Sequence, residues 1–329
     1  MTTSALKIVF HGQNATNFRP GFEALVGASH QILEVSDGLN LPGEAAHFES
    51  ADVVVGVRLH ADMPQPRKLR LWHAPSAGTD GIDLSLLPPA SALCNCHGHE
   101  YAIAEYVMAA LLLRHVPLAK ADADLRQGQW TYFAGRPNAL RTELGQQTMG
   151  LLGFGHIGQA IAHRAKAFGM KVHAANRSAV KSPLVDQAFG LHDLPAFMAS
   201  VDVVVVSLPL MPDTTGIVNQ AALAAMRPGA VLVNVGRGPV IDEQALFEAL
   251  SRRQIAGAII DTWYQYPTPA RTECAPSQFD FAALDNVTLT PHMSGWTSGT
   301  IQRRQQTMAD NIGRLCRGEA LVNVLKAAG

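Results

Sequence analysis

The sequence predicts an α/β fold of two doubly wound parallel-sheet domains. Three observations lead there. Short apolar, β-branched runs alternate with segments of helical periodicity along the chain, the pattern of strands joined by crossover helices. Runs such as Val203–Val206 are apolar on both faces, which suits strands covered by helices on each side. The strand candidates number five in the first part and six in the second, too many for one compact sheet of ordinary size.

In chain order, the first group is Leu6–Phe10, Gln31–Val35, Asp52–Arg58, Leu69–His73 and Ala92–Cys96. The second is Thr148–Gly153, Lys171–Ala175, Asp202–Leu208, Ala230–Val235, Ala256–Asp261 and Asn286–Thr290. A boundary near residue 100 is expected, where Cys96-His-Gly-His-Glu100 precedes a long apolar helix over Tyr101–Ala119. Pro267–Pro276 reads as a loop, of a length that is often functional inside an α/β domain.

Composition narrows the classes. Hydrophobic residues make up 47% of the 329 residues and charged residues 16%, enough to bury two cores and far from disorder. A net charge of −1 gives no electrostatic footprint for nucleic acid or an anionic membrane. Apolar runs such as Val107–Leu113 fall short of the roughly 20 residues that span a bilayer. Met1–Phe10 runs straight into a strand and shows no secretory pattern. Four cysteines, Cys94, Cys96, Cys274 and Cys316, make no disulfide framework in a chain of this size. A reducing cytoplasm is the expected compartment.

Gly153-Phe-Gly155-His156-Ile157-Gly158 fits G-x-G-x-x-G. A strand candidate precedes it, an apolar-periodic helix over Gly158–Phe168 follows, and a second strand completes a βαβ unit. In such a unit the first glycine permits the tight turn. The second lets backbone approach a pyrophosphate, and the third lets helix and strand pack closely. The helix N-terminus, through His156 and Ile157, offers N–H groups and the positive dipole end to phosphates. The expectation is a Rossmann dinucleotide site; the alternative is a glycine-rich packing turn in a nucleotide-free fold. At the end of the second strand, where NAD sites commonly carry Asp or Glu, the chain has Asn176-Arg177-Ser178. Asn176 brings no repelling charge, Arg177 can pair with a 2′-phosphate and Ser178 can donate to it. NADP(H) is therefore expected in preference to NAD(H), the alternative being a solvated surface arginine.

Asn234-Val-Gly-Arg237-Gly238, Asp261-Thr-Trp-Tyr-Gln-Tyr266-Pro267 and Thr290-Pro-His292-Met-Ser-Gly-Trp296 each lie at or just beyond the carboxyl end of a strand candidate, where ligands bind in open α/β sheets. Arginine can fix a carboxylate by a bidentate pair, and histidine can exchange a proton near neutral pH.

With these segments the chain resembles the D-isomer-specific 2-hydroxyacid dehydrogenase family over nearly its whole length. The resemblance rests on His73-Ala-Pro-Ser-Ala-Gly78-Thr-Asp80-Gly-Ile-Asp83, Ala104-Glu105, the glycine motif, Ser207-Leu-Pro209-Leu-Met-Pro212-Asp-Thr-Thr215, Asn234–Gly238 and Thr290-Pro-His292. It implies a flavodoxin-like substrate domain from residues 1–99 plus 294–329, a central Rossmann domain over 100–293, and a homodimer. It implies that Arg237 binds a substrate carboxylate and polarises the keto oxygen, and that His292 is the general acid/base. By the same likeness the Ala77 and Gly78 backbone meets the substrate carboxylate. Pro209 and Thr215 border the adenine, Val235 and Gly236 contact the coenzyme, and Asp261 lies near the nicotinamide. The implied reaction is hydride transfer between nicotinamide and a small 2-keto or 2-hydroxy acid, of glyoxylate or hydroxypyruvate kind or bulkier, without metal.

One position departs from the family pattern. A glutamate usually stands a few residues after the aspartate matched by Asp261, and here the residues are Tyr266-Pro267. A glutamate would orient the imidazole and raise its pKa by its charge, whereas tyrosine is neutral at pH 7. Tyr266 is therefore expected to partner a less basic His292, with an activity optimum at lower pH; Glu273 is the candidate substitute. The missing carboxylate keeps two other readings open. One is a dehydrogenase of a different small anion such as formate or phosphite; the other is a non-catalytic dinucleotide-sensing module.

Trp263, Tyr264, Tyr266 and Trp296 are candidates to wall a substrate pocket or simply to pack. Arg58 reads as a solvated strand-end residue. Cys94, Cys96, His97 and His99 fit no usual zinc spacing, and the two cysteines alternate as buried strand residues. Neither Ser76 nor Ser294 lies in G-x-S-x-G, so no hydrolase triad is expected.

Overall fold

The computed structural model describes residues 5–268 and 271–329. Residues 1–4, and two positions of the loop expected over Pro267–Pro276, lie outside the described residues. The chain forms two compact units, Met1–Gly98 with Thr297–Gly329, and His99–Trp296.

In the first unit, β1 (Lys7–His11), β2 (Gln31–Val35), β3 (Val53–Val55), β4 (Leu71–His73) and β5 (Ala92–Cys94) form the parallel part of a sheet. In the second, β6 (Thr148–Leu152), β7 (Lys171–Asn176), β8 (Gln187–Gly190), β9 (Val203–Val206), β10 (Val231–Asn234), β11 (Gly257–Ile260) and β12 (Val287–Leu289) form a parallel sheet of seven strands. A last strand, β13 (Val324–Lys326), returns to the first unit and pairs antiparallel with β5.

The first sheet runs β13-β5-β4-β3-β1-β2, and its parallel strands have the flavodoxin-like order. The second runs β12-β11-β10-β9-β6-β7-β8, a Rossmann order extended by β12. In the second unit the order reverses between β6 and β9, so a ligand site is expected outside the carboxyl ends of those strands. Val203–Val206 is fully buried, with one apolar cluster on each face of the sheet.

Three elements differ from the sequence expectation. Strand β8 is short and half exposed, so it shows no apolar run. Strand β13 is an exposed, antiparallel edge, invisible to a rule for parallel strands covered on both faces. The helix expected over Tyr101–Ala119 ends at His115 and a second runs over Leu118–Arg126. Pro117 explains the break: it donates no backbone hydrogen bond and keeps Val116 extended. Among the described residues no single helix is long and apolar enough to cross a membrane; this pair, bent by 47°, meets the length and composition together. Cys94 and Cys96 are buried free thiols, their pKa values pushed up by burial to about 11 and about 12. No group of His, Cys, Asp or Glu among the described residues could hold a metal ion.

The β6 turn into the helix His156–Ala167 shows why its glycines differ. Gly153 has φ +103, a backbone state that L side chains rarely adopt. A Cβ on Gly158 would strike the Gly153 carbonyl oxygen, whereas one on Gly155 meets nothing within 4 Å. Alanine inside a helix ordinarily stabilises it by about 1 kcal/mol over glycine. Gly158→Ala is expected to reverse that sign and cost about 1–3 kcal/mol through overpacking. Gly155→Ala is expected to stay within about 0.5 kcal/mol of wild type. Thermal unfolding of both variants checks the pair.

Candidate active site

The site in the second unit is built on Asp261, just past β11. Asp261 is 0% exposed, and a buried carboxylate must be supplied with hydrogen bonds. Its Oδ1 accepts from Thr290 Oγ1 at 2.6 Å and from the Met293 N–H at 2.9 Å; its Oδ2 accepts from the Ser294 N–H at 2.9 Å. Since the Thr290 hydroxyl proton goes to Asp261, Tyr106 Oη donates to Thr290 Oγ1, at 2.7 Å. Trp263 Nε1 donates to the Thr290 carbonyl at 2.8 Å. These bonds clamp both sides of His292, whose φ is +59. Left-handed backbone at a residue with a Cβ costs about 1–2 kcal/mol, and the clamp on its neighbours offsets that cost.

The imidazole has a defined partner. Tyr266 Oη accepts from the Trp263 backbone N–H at 2.9 Å and lies 3.0 Å from His292 Nδ1. Where the phenol O–H donates to Nδ1, neutral His292 carries its own proton on Nε2. Desolvation of the ring lowers the His292 pKa, the positive charge of Arg237 lowers it further, and Asp261 opposes both. Tyr266 is pushed up by burial, against the Trp263 N–H and the charge of Arg237. Glu273 is exposed, and among the described residues the bond to His292 Nδ1 comes from Tyr266.

Arg237 follows β10. The buried Asn234 side chain shapes the turn: its Oδ1 accepts from the Gly236 N–H at 3.1 Å and its Nδ2 donates to the Arg237 carbonyl at 3.2 Å. Arg237 Nη1 donates to the Gly236 carbonyl at 2.9 Å. A Cβ on Gly238 would strike the Trp263 backbone, so glycine lets the arginine turn pack directly on the segment that carries Tyr266. A guanidinium, an imidazole and a phenol therefore share one corner, beyond the ends of β10, β11 and β12. Such a corner can hold an anion and move a proton beside it.

The glycine turn lies at the β6 end of the same sheet. His156–Ala167 has no side-chain cap at Gly155, whereas Asp242 and Thr297 cap the helices they precede. The open space beside Gly155 and the positive end of this helix fit a dinucleotide pyrophosphate. Asn176 Oδ1 accepts from the Phe154 N–H at 3.4 Å, and Asn176 Nδ2 donates to the Ser178 carbonyl at 3.2 Å. Arg177 is 77% exposed, with Asp213 Oδ2 3.9 Å away. Pro209–Thr215 is a self-closed loop: Thr214 Oγ1 donates to the Pro209 carbonyl at 2.6 Å, and Thr215 Oγ1 to the Met211 carbonyl at 2.8 Å.

Of the residues expected from sequence, Arg237, Tyr266, His292 and Asp261 come together, and Val235 and Gly236 form the buried turn before Arg237. Gly153, Gly155, His156, Ile157 and Gly158 form the strand-to-helix turn, with Asn176, Arg177 and Ser178 at the end of β7. Ala77 and Gly78 belong to the other unit, where Asn95 Nδ2 donates to the Ala77 carbonyl and Ser76 Oγ to the Gly78 carbonyl. Trp263 is buried against Phe281, and Tyr264 Oη donates to the Ile241 carbonyl, so both pack; Trp296 is exposed. Sequence reasoning missed Tyr106, Thr290, Thr214 and the Trp263 N–H. Tyr106 sits in an apolar helix with no local signal, and Thr290, though part of the Thr290-Pro-His292 segment, shows nothing in sequence of its bond to Asp261.

The family model for the D-isomer specific 2-hydroxyacid dehydrogenase NAD binding domain matches residues 107–294, more than half of the chain. D-3-phosphoglycerate dehydrogenase of Methanocaldococcus jannaschii is 29% identical over 310 residues, covering 89% of this chain and 55% of that protein. The chain thus spans about half the length of such curated relatives. Glyoxylate reductase of Thermofilum pendens is 31% identical over 277 residues, covering 80% of this chain and 71% of that one. Among solved structures, the D-isomer specific 2-hydroxyacid dehydrogenase of Xanthobacter autotrophicus Py2 in complex with NADPH and MES is 25% identical. It aligns with a TM-score of 0.77 over 98% of both chains. With its glycine turn, its arginine and its histidine on one Rossmann sheet, the chain belongs to the D-isomer specific 2-hydroxyacid dehydrogenase family.

Proposed function

We propose that this chain is an NADP(H)-preferring oxidoreductase that reduces a small 2-keto acid to the 2-hydroxy acid. The observation that carries the reading is the Tyr266–His292 pair beside Arg237, a proton donor next to an anion-binding cation. Similarity to glyoxylate reductases supports a compact 2-keto acid of glyoxylate or hydroxypyruvate kind.

When bound, the nicotinamide supplies and accepts hydride. The chain does the rest. The turn Gly153–Gly158 and the first turn of its helix, with His156 and Ile157, hold the pyrophosphate. Asn176, Arg177 and Ser178 take the 2′-phosphate, and Pro209, Thr215, Val235 and Gly236 border the rest of the coenzyme. Arg237 pairs with the substrate carboxylate and stabilises charge developing on the keto oxygen, while His292 Nε2 gives that oxygen its proton. Asp261 holds the His292 segment beside the nicotinamide end of the site.

Two further readings belong to this proposal. The four cysteines are free thiols, which supports a reducing, cytoplasmic setting. The stretch 113–140 exposes Leu113, Leu118, Leu125, Trp130, Phe133 and Leu140. That much apolar surface on one segment supports a homodimer buried over it.

A panel of 2-keto acids with NADPH, followed by nicotinamide absorbance, tests the activity. Arg237→Ala is expected to lower kcat/KM by about 10²–10³-fold, and full turnover in that variant would remove Arg237 from the mechanism. NADPH is expected to outperform NADH in kcat/KM. Arg177→Ala should weaken NADPH about 10–100-fold while sparing NADH; an equal loss for both would contradict the 2′-phosphate role. Sedimentation should give a dimer that Phe133→Glu dissociates, and a monomeric wild type would overturn that part.

A further inference from the structure

We propose that Tyr266 is a second proton carrier, which reloads His292 through Nδ1 while Nε2 delivers its proton to the substrate oxygen. This rests on the reductase reading and concerns how the site works when the imidazole is neutral.

The hydrogen-bond geometry carries it. Tyr266 Oη accepts from the Trp263 N–H at 2.9 Å, so that donor leaves the phenol proton free, and Oη faces His292 Nδ1 at 3.0 Å. The proposed proton line runs from the phenol O–H to Nδ1, and from Nε2–H onward. A glutamate in this place would favour a standing imidazolium by its charge; a phenol supplies no such charge. Among the described residues, the charged and titratable groups facing His292 and Tyr266 are Arg237 and Asp261. Arg237 disfavours the imidazolium and favours a tyrosinate; Asp261 acts oppositely on both. Asp261 already has three donors.

A neutral imidazole alone is a poor acid, because giving up Nε2–H would leave an imidazolate. With the phenol in line that anion never forms. Hydride from a bound reduced nicotinamide would go to the carbonyl carbon, the C=O π pair moving to oxygen. That oxygen takes the Nε2 proton, whose bonding pair stays on the ring. Nδ1 takes the phenol proton, and the O–H pair stays on Tyr266 as tyrosinate. The ring ends neutral with its proton moved from Nε2 to Nδ1. An alkoxide is a stronger base than a phenolate, so the transfer runs downhill. The Trp263 N–H donates to the tyrosinate, and the positive charge of Arg237 favours it. Tyr266 is 44% exposed, and in the proposal water returns its proton. In this role Tyr266 is a positioning residue that acts through His292.

The test pairs kinetics with magnetic resonance on wild type, Tyr266→Phe and Tyr266→Glu. Wild-type kcat for reduction is expected to be highest below pH 6.5, where the imidazolium contributes, and then to level onto a plateau through pH 9. Tyr266→Phe is expected to lose that plateau and fall about tenfold per pH unit. Tyr266→Glu is expected to move the falling limb to higher pH, because its carboxylate raises the imidazole pKa. In the coenzyme-free protein, ¹⁵N spectra of neutral His292 should show the proton on Nε2 in wild type and a tautomer mixture in Tyr266→Phe. A plateau that survives in Tyr266→Phe, or a wild-type His292 protonated on Nδ1, would overturn the relay. If no 2-keto acid is turned over, the reductase reading fails, and the tautomer measurement still decides the hydrogen-bond order.

Discussion

Asp261 sits past β11 with no exposed surface, and both of its oxygens accept hydrogen bonds from the segment that carries His292. A carboxylate in that position is costly to bury and expensive to leave unpaired. It can be kept only if Thr290, Met293 and Ser294 stay where they are, and that arrangement puts His292 into left-handed backbone. The strain is local, and it aims the imidazole at Tyr266. Around this corner the Rossmann sheet does little more than bring three loop ends together.

The exchange of a carboxylate for a phenol changes the electrostatics without dismantling the geometry. Tyr266 still bonds to Nδ1, so the ring keeps one orientation. What is lost is the opposite charge that would favour the imidazolium. With Arg237 nearby and the ring partly desolvated, the His292 pKa goes down. The positive charge of Arg237 thus acts with desolvation against the imidazolium beside it. The phenol answers that problem with a transferable proton.

Much of this was legible in the amino-acid order, for identifiable reasons. Buried parallel strands such as Val203–Val206 announce themselves because both faces are apolar. The glycine turn announces itself because each glycine meets a different steric demand, at Gly153 a positive φ and at Gly158 a close backbone oxygen. Strands β8 and β13 were hidden because they are short and exposed. At the site, Arg237 and His292 could be picked out by residue type at strand ends, and Tyr266 by its departure from the family pattern. The bonds that position them could not. Tyr106 and Thr290 are 184 residues apart, and the Trp263 N–H is a backbone donor that every residue type except proline carries.

A crystal structure of the chain with NADP⁺ and a 2-keto-acid analogue such as oxamate bears on the whole arrangement at once. The analogue carboxylate should pair with Arg237, its carbonyl oxygen should lie about 3 Å from His292 Nε2, and Nδ1 should remain on Tyr266. An analogue carboxylate bound away from Arg237, or a His292 ring turned off Tyr266 toward another partner, would contradict it.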